Sequence, residues 1–134
     1  MNIDIKVSGD KELARKLLNT AIVQREFEEA ATKSAVAVHG RVSQYPVQRH
    51  STDYVRTGTL GRNWGFKVRP YATFVDAFVE NPVEYAPYVQ GADTQAWMHK
   101  GRWPTTRQAL TEMRQKIRGF YDTATRNIRR IFDR

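Results

Sequence analysis

Asn63-Trp64-Gly65-Phe66-Lys67-Val68-Arg69-Pro70-Tyr71-Ala72-Thr73-Phe74-Val75-Asp76-Ala77-Phe78-Val79 is the stretch whose reading decides the fold. Its two halves, Asn63–Val68 and Thr73–Val79, are dense in aromatic and β-branched side chains: Trp64, Phe66 and Val68, then Phe74, Val75, Phe78 and Val79. Such side chains suit a pleated, half-buried surface. Pro70-Tyr71 breaks the run, so the simplest arrangement is a hairpin, which Asn81-Pro82 ends. A third strand is expected at the start of the chain, where Ile3, Ile5 and Val7 alternate with Asn2, Asp4 and Lys6 until Ser8-Gly9-Asp10.

On either side of the hairpin the apolar period changes from two to between three and four. Leu13, Leu17, Ala21, Phe27, Ala31, Ala35, Val38 and Val42 predict a helix from residue 10 to about 43, with Asp10 able to cap its first turn. Glu26, Glu28, Glu29 and Lys33 favour the opposite, solvent side, and Gly40 is a point where the helix could bend or stop. Trp103-Pro104-Thr105 predicts a second helical start, because proline is tolerated in a first turn and threonine caps well. From there Leu110, Met113, Ile117, Phe120, Ala124, Ile128 and Ile131 recur in the near-heptad steps of a helix packed along a neighbour. The expected fold is therefore α+β: a long N-terminal helix and a C-terminal helix packed on a small, mostly antiparallel sheet. Both helices are longer than one small core requires, so part of each stripe is expected to face a neighbouring subunit.

Between these elements lie two polar stretches. Residues 44 to 60, with Pro46, Ser51, Thr52, Asp53 and Gly58, have loop composition, and a loop of that length is expected to order against a partner. Val83 to Val89, with two tyrosines, forms a short segment ahead of a glycine-containing loop from Gln90 to Arg102.

At 134 residues, the length fits one domain spanning the whole chain. An apolar fraction of 40%, with 3 Trp, 6 Tyr and 6 Phe, argues for a packed globule. Cysteine is absent, which excludes disulfides and cysteine-based metal or nucleophile chemistry. No apolar run is long enough to span a bilayer, and the opening residues lack the order of a signal peptide, so no membrane contact is expected. The formal charge is +8, and from Met98 onward ten Lys and Arg face only Glu112, Asp122 and Asp133. That basic end suits nucleic acid or an acidic protein partner, and it equally suits a solvated helix face.

Catalytic patterns are weak. His39, His50 and His99 stand at no metal-ligand spacing, and Gly58-Thr59-Leu60-Gly61 lacks the Lys-Ser or Lys-Thr that completes a phosphate loop. A small basic nuclease would need His50 or His99 beside Arg102. Glu26, Glu28 and Glu29 on an exposed helix surface are ordinarily solubilising. Tyr85, Tyr88, Trp97 and Trp103, near Lys100 and Arg102, could stack bases, but protein interfaces and cores use the same aromatic anchors more often. Trp64 and Tyr85, each in an apolar segment, are expected to hold the fold. No cofactor and no catalytic residue are assigned.

Two segments carry a family likeness. Arg56-Thr57-Gly58-Thr59-Leu60-Gly61-Arg62-Asn63-Trp64 resembles the Thr-Gly-x-Leu-Arg-x-Ser turn-into-strand of the Hong Kong phage tail-component family. Glu84-Tyr85-Ala86-Pro87-Tyr88-Val89-Gln90-Gly91 resembles its Tyr-Ala-x-Tyr-Val-Glu-x-Gly segment. The order of elements also agrees over most of residues 3 to 132. Gly61 stands where the family often has a basic residue, Asn63 replaces its serine, Gln90 replaces its glutamate, and one residue before Gly91 is missing.

The resemblance implies a non-enzymatic structural subunit of tailed bacteriophages: a neck, tail-completion or tail-terminator protein that joins head to tail. Members assemble as a ring, often six-fold, against connector or head-closure proteins on one side and tail-terminator or tail-tube proteins on the other. The place implied is the virion neck or tail, after assembly in the host cytoplasm. Non-specific contact with DNA in the channel is compatible with the positive excess. Interface candidates are Arg56, Thr57, Leu60 and Arg62, then Tyr85 and Tyr88, then Trp97 and Trp103, and finally Arg126, Arg129 and Arg130. The alternative function is a small basic nucleic-acid-binding module.

Overall fold

A computed structural model describes residues 1–6, 21–47, 56–71 and 74–133. Strands β1 (Asn2–Ile5), β2 (Gly65–Pro70) and β3 (Val75–Glu80) form one antiparallel sheet in the order β1-β3-β2. β3 is central because its alternating Ala77 and Val79 are small and fully buried, and can be flanked on both sides. In register, Val79 is flanked by Ile3 and Phe66, and Ala77 by Ile5 and Val68, so one sheet face is continuously apolar. The other face is charged; there Lys67 pairs with Glu80 at 2.9 Å and lowers the Glu80 pKa. The hairpin forms as expected, though it starts at Gly65, since Trp64 turns into the core ahead of the strand. At its tip the Tyr71 N–H donates to the Phe74 carbonyl at 2.8 Å and the two rings stack.

The long helix α1 (Ala21–Val42) lies on the apolar face of the sheet. Ala31, Ala35, Val38 and Val42 are buried as their spacing predicts, and Val23, Ala30 and Ser34 join them. Side chains this small let the helix approach its neighbours closely, and the Ser34 hydroxyl is satisfied within the helix by the Ala30 carbonyl at 2.7 Å. Ala21, expected on the stripe, is exposed. The helix continues through Gly40 for another half-turn, so that glycine is no break. Asp10, Leu13 and Leu17 lie outside the described residues, as do Val7 and Thr73. Glu26 does not face open solvent: its carboxylate accepts the Asn127 side-chain amide at 3.1 Å.

The final helix α4 (Thr106–Phe132) runs alongside α1 and touches the sheet mainly at β1. Its start is built as the sequence predicts: Thr105 caps the Gln108 N–H and the Gln108 side chain accepts from the Thr105 N–H. Such a reciprocal cap satisfies two otherwise orphaned donors. Pro104 sits one residue before the cap and not inside the first turn. Ala109, Ile117, Ala124 and Ile128 are buried, each contributing transfer free energy of up to roughly 1.5–3 kcal/mol for the isoleucines. At its N-terminal end Arg107 meets Asp93 at 3.2 Å, and in its second turn Glu112 pairs with Arg41 of α1. The architecture is α+β, two long helices layered on a three-stranded antiparallel sheet.

Candidate interaction surface

Two short helices position the surface residues. Gly58 has φ of 76°, a left-handed conformation that glycine adopts without steric cost, and it turns the chain into α2 (Thr59–Arg62). The end of the stretch read as loop is therefore helical, while residues 48–55 lie outside the described residues. α3 (Ala86–Gln90) carries Pro87 in its first turn, where a missing N–H costs nothing. Gly91 follows it at a position where a Cβ would sit 2.0 Å from the Thr94 hydroxyl and 2.4 Å from the Pro87 carbonyl.

Residues 56–64 and 84–91 pack on each other. Leu60 of the first forms a buried cluster with Ala86 and Val89 of the second, edged by Val83, Tyr45 and Trp103. Trp64 donates its indole N–H to the Gln90 side-chain oxygen at 3.1 Å. Gln90 is fully buried, and its amide donates to the carbonyls of Val42 at 3.0 Å and Pro104 at 3.1 Å. One side chain thus ties together the end of α1, the entry to β2, α3 and the entry to α4. Asn81, also buried, donates to the Leu60 carbonyl at 2.8 Å.

Two positions, 90 and 61, acquire reasons here. Gln90 needs an amide because two carbonyls aim at its nitrogen, where a carboxylate has no donor. Gly61 leaves room for Tyr45: a Cβ would lie 3.0 Å from its ring, and the Tyr45 hydroxyl accepts the Gly61 N–H at 2.9 Å.

Around this pinned centre the predicted site residues separate into three places. Tyr85 (45% exposed), Tyr88 (64%) and Trp97 (81%) are all exposed, and the Ala96 N–H donates to the Tyr88 carbonyl at 2.7 Å, which ties the segment before Trp97 to α3. Met98 is exposed beside Trp97 in the 3-10 turn Trp97–His99. Gln95 holds that turn in place, its amide reaching the carbonyls of Val89 at 2.8 Å and Trp103 at 2.9 Å. Tyr85, expected in the core, is exposed; it stands at the cap position of α3, on the side away from the Leu60 cluster.

The second place is inward. Trp103 leaves the exposed group and packs edge-on against Tyr45, ring centroids 5.0 Å apart, and the Arg56 guanidinium covers both rings at 5.5 and 5.9 Å. Arg56 also donates to the Pro46 carbonyl. Leu60 is buried, so its side chain serves the chain's own core and not an outer contact. Thr57 and Arg62 are exposed at the rim, with the Thr57 and Thr59 hydroxyls 2.9 Å apart.

The third place is α4, where Arg126, Arg129 and Arg130 are all exposed. The sequence had no signal for Gln90, Gln95 or Tyr45, since a lone amide or tyrosine in polar surroundings looks like surface. His99 has its Nδ1 buried without a partner, and burial, then the nearby Arg102 charge, push its pKa below the usual value. His50 lies outside the described residues. Among the described residues no group of three His, Asp or Glu is placed to hold a metal ion. No family model, curated protein or solved structure matches the chain.

Proposed function

We propose that this chain is a structural subunit of the tailed-phage head–tail interface, a neck, tail-completion or tail-terminator ring that joins the head connector to the tail. The observation that carries the reading is the way the two family-like segments meet. They close on Gln90 and Leu60 to form a rigid block, and that block presents Tyr85, Tyr88, Trp97 and Met98 outward. Exposed aromatics on a fixed scaffold are what protein interfaces use as anchors, because little side-chain entropy is lost when they are covered. Copies of the chain would supply one cover, in a closed ring, and the adjoining connector, head-closure, terminator or tube proteins the other.

Light scattering on the purified protein, alone and with the neighbouring neck proteins, tests this, together with electron microscopy of virions carrying a labelled copy. A ring mass and label at the neck are expected. A monomer in every mixture, with no label in virions, defeats the proposal.

A further inference from the structure

We infer that one flank of α4 is a binding surface for the phosphate backbone of duplex DNA, without sequence preference. The helix turns by about 100° per residue, which puts Arg107, Arg114, Arg118 and Arg129 along a single side with Thr111 and Thr125 between them. All six are exposed. Arg126, Arg130 and Lys116 fall on the other flank, so the arginines do not simply surround the helix.

Neutralisation is the first reason to read this flank as a site. Among the described residues only Arg107 of these four forms a salt bridge, with Asp93, and both partners are largely exposed. Glu112 lies by the same geometry on the other flank, near Lys116, and is taken by Arg41 of α1. Asp122 borders the flank and forms no salt bridge among the described residues. A concentration of unpaired guanidinium groups raises the local counterion density, and a polyanion gains by releasing those ions.

Shape and composition then favour DNA over an acidic protein. The centre of a protein–protein interface is apolar and depleted in charge, whereas interfaces with DNA are polar and strongly positive. Apart from Phe132 at its far end, this flank offers arginines and the Thr111 hydroxyl, groups that contact phosphate oxygens, while the Thr125 hydroxyl donates to the Tyr121 carbonyl at 2.9 Å. The aromatic anchors of this chain are elsewhere, on α3 and the 3-10 turn. Arg107 to Arg129 spans roughly 33 Å at ~1.5 Å per residue, close to one duplex turn of about 34 Å. A rod of that length laid along a duplex crosses both phosphate backbones. No base-reading geometry accompanies it, so the contact carries no sequence information.

The inference does not depend on ring formation, and the two are measured separately. The full chain is titrated into a labelled mixed-sequence duplex of two turns, about 20 base pairs, at several salt concentrations, with fluorescence anisotropy as readout. The triple variant Arg114→Gln, Arg118→Gln, Arg129→Gln is expected to make the slope of log K against log salt shallower by roughly 2.7, at about 0.9 per phosphate contact. The double variant Arg126→Gln, Arg130→Gln, on the other flank, is expected to change it by less than about 1. Circular dichroism and particle mass should match wild type in both, since substitutions at exposed positions rarely change stability appreciably. An unchanged slope in the triple variant, equal losses in both variants, or poly-glutamate binding as tightly as the duplex would each overturn it, the last in favour of an acidic protein partner. A strong preference for one duplex sequence over its scramble would overturn it as well.

Discussion

Replacing Gln90 tests whether the block beneath the aromatic surface is held as described. Gln90→Met keeps the length and most of the volume of the side chain and removes its three hydrogen bonds. The Trp64 indole N–H and the carbonyls of Val42 and Pro104 are then left at a fully buried position. A buried polar group without a partner costs about 1–3 kcal/mol. Three of them, discounted because such costs are not fully additive, come to roughly 3–6 kcal/mol. That is a large part of the ~5–15 kcal/mol that holds an ordinary domain together. In urea, with a slope of ~2 kcal/mol per molar, the midpoint should fall by roughly 1.5–3 M. A shift under about 0.5 M would mean the three groups find other partners, and the reasoning from buried bonds would fail. Gln90→Glu adds a pH test. Burial raises the folded-state pKa of the new carboxyl above its unfolded value. The linked stability is therefore present below the unfolded pKa and is lost as pH rises through the folded one. The Glu variant should lie closer to wild type at pH 4 than at pH 7; the opposite order would contradict the assigned donors.

Trp64 is 4% exposed, so Trp64→Ala should cost roughly 3–5 kcal/mol in chemical denaturation; an unchanged melting temperature with lost assembly would move Trp64 from core to interface. His99 has a folded pKa below its ordinary 6.5, so the unfolded chain takes up a proton first as pH falls. Its share of stability is present above pH ~6.5 and is lost below it, and His99→Gln should flatten the drop in melting temperature between pH 8 and pH 5. Tyr121 has its pKa raised, by burial and then by the Asp76 charge, so its share is present below pH ~10 and lost above it. Tyr121→Phe should unfold less readily in alkali than wild type; identical alkaline melting curves would refute the burial argument.

The fold was legible wherever a single period persisted. The hairpin, the two long helices and the Thr105 start could be read because burial of one face imposes the period of the element itself. What escaped was decided by contacts between distant segments. Ser34 and Ala30 lie on the buried face of α1 because α4 closes over them, and no local pattern distinguishes a small polar residue there from one in solvent. Gln90 looked like the polar beginning of a loop. Its burial follows from three groups contributed by α1, by Trp64 and by Pro104, which approach only once the chain is folded. Tyr85 was misplaced for the reverse reason. It sits in an apolar run, but a helix of five residues buries only one side, and Ala86 and Val89 occupy it.

Division of the surface follows from the same geometry. Leu60, Ala86 and Val89 consume the apolar side of residues 56–64 and 84–91, so the aromatic groups offered outward come from the other phase, Tyr85 and Tyr88, and from the adjoining turn, beside the exposed Thr57 and Arg62. α4 has the opposite constraint. Its apolar side is filled by α1, and Arg41 has drawn Glu112 into an ion pair between the two helices. Among the described residues Arg114, Arg118 and Arg129 of the remaining flank form no salt bridge, which is what supports the proposed contact with an anion from outside. A protein with aromatic anchors at one place and unneutralised arginines at another can bind protein and DNA together without the two competing. If the aromatic surface forms the subunit contacts, mutations there should change particle mass and leave the salt slope of DNA binding intact, while mutations on the α4 flank should do the reverse. Loss of both properties from either set would show that the two surfaces are one.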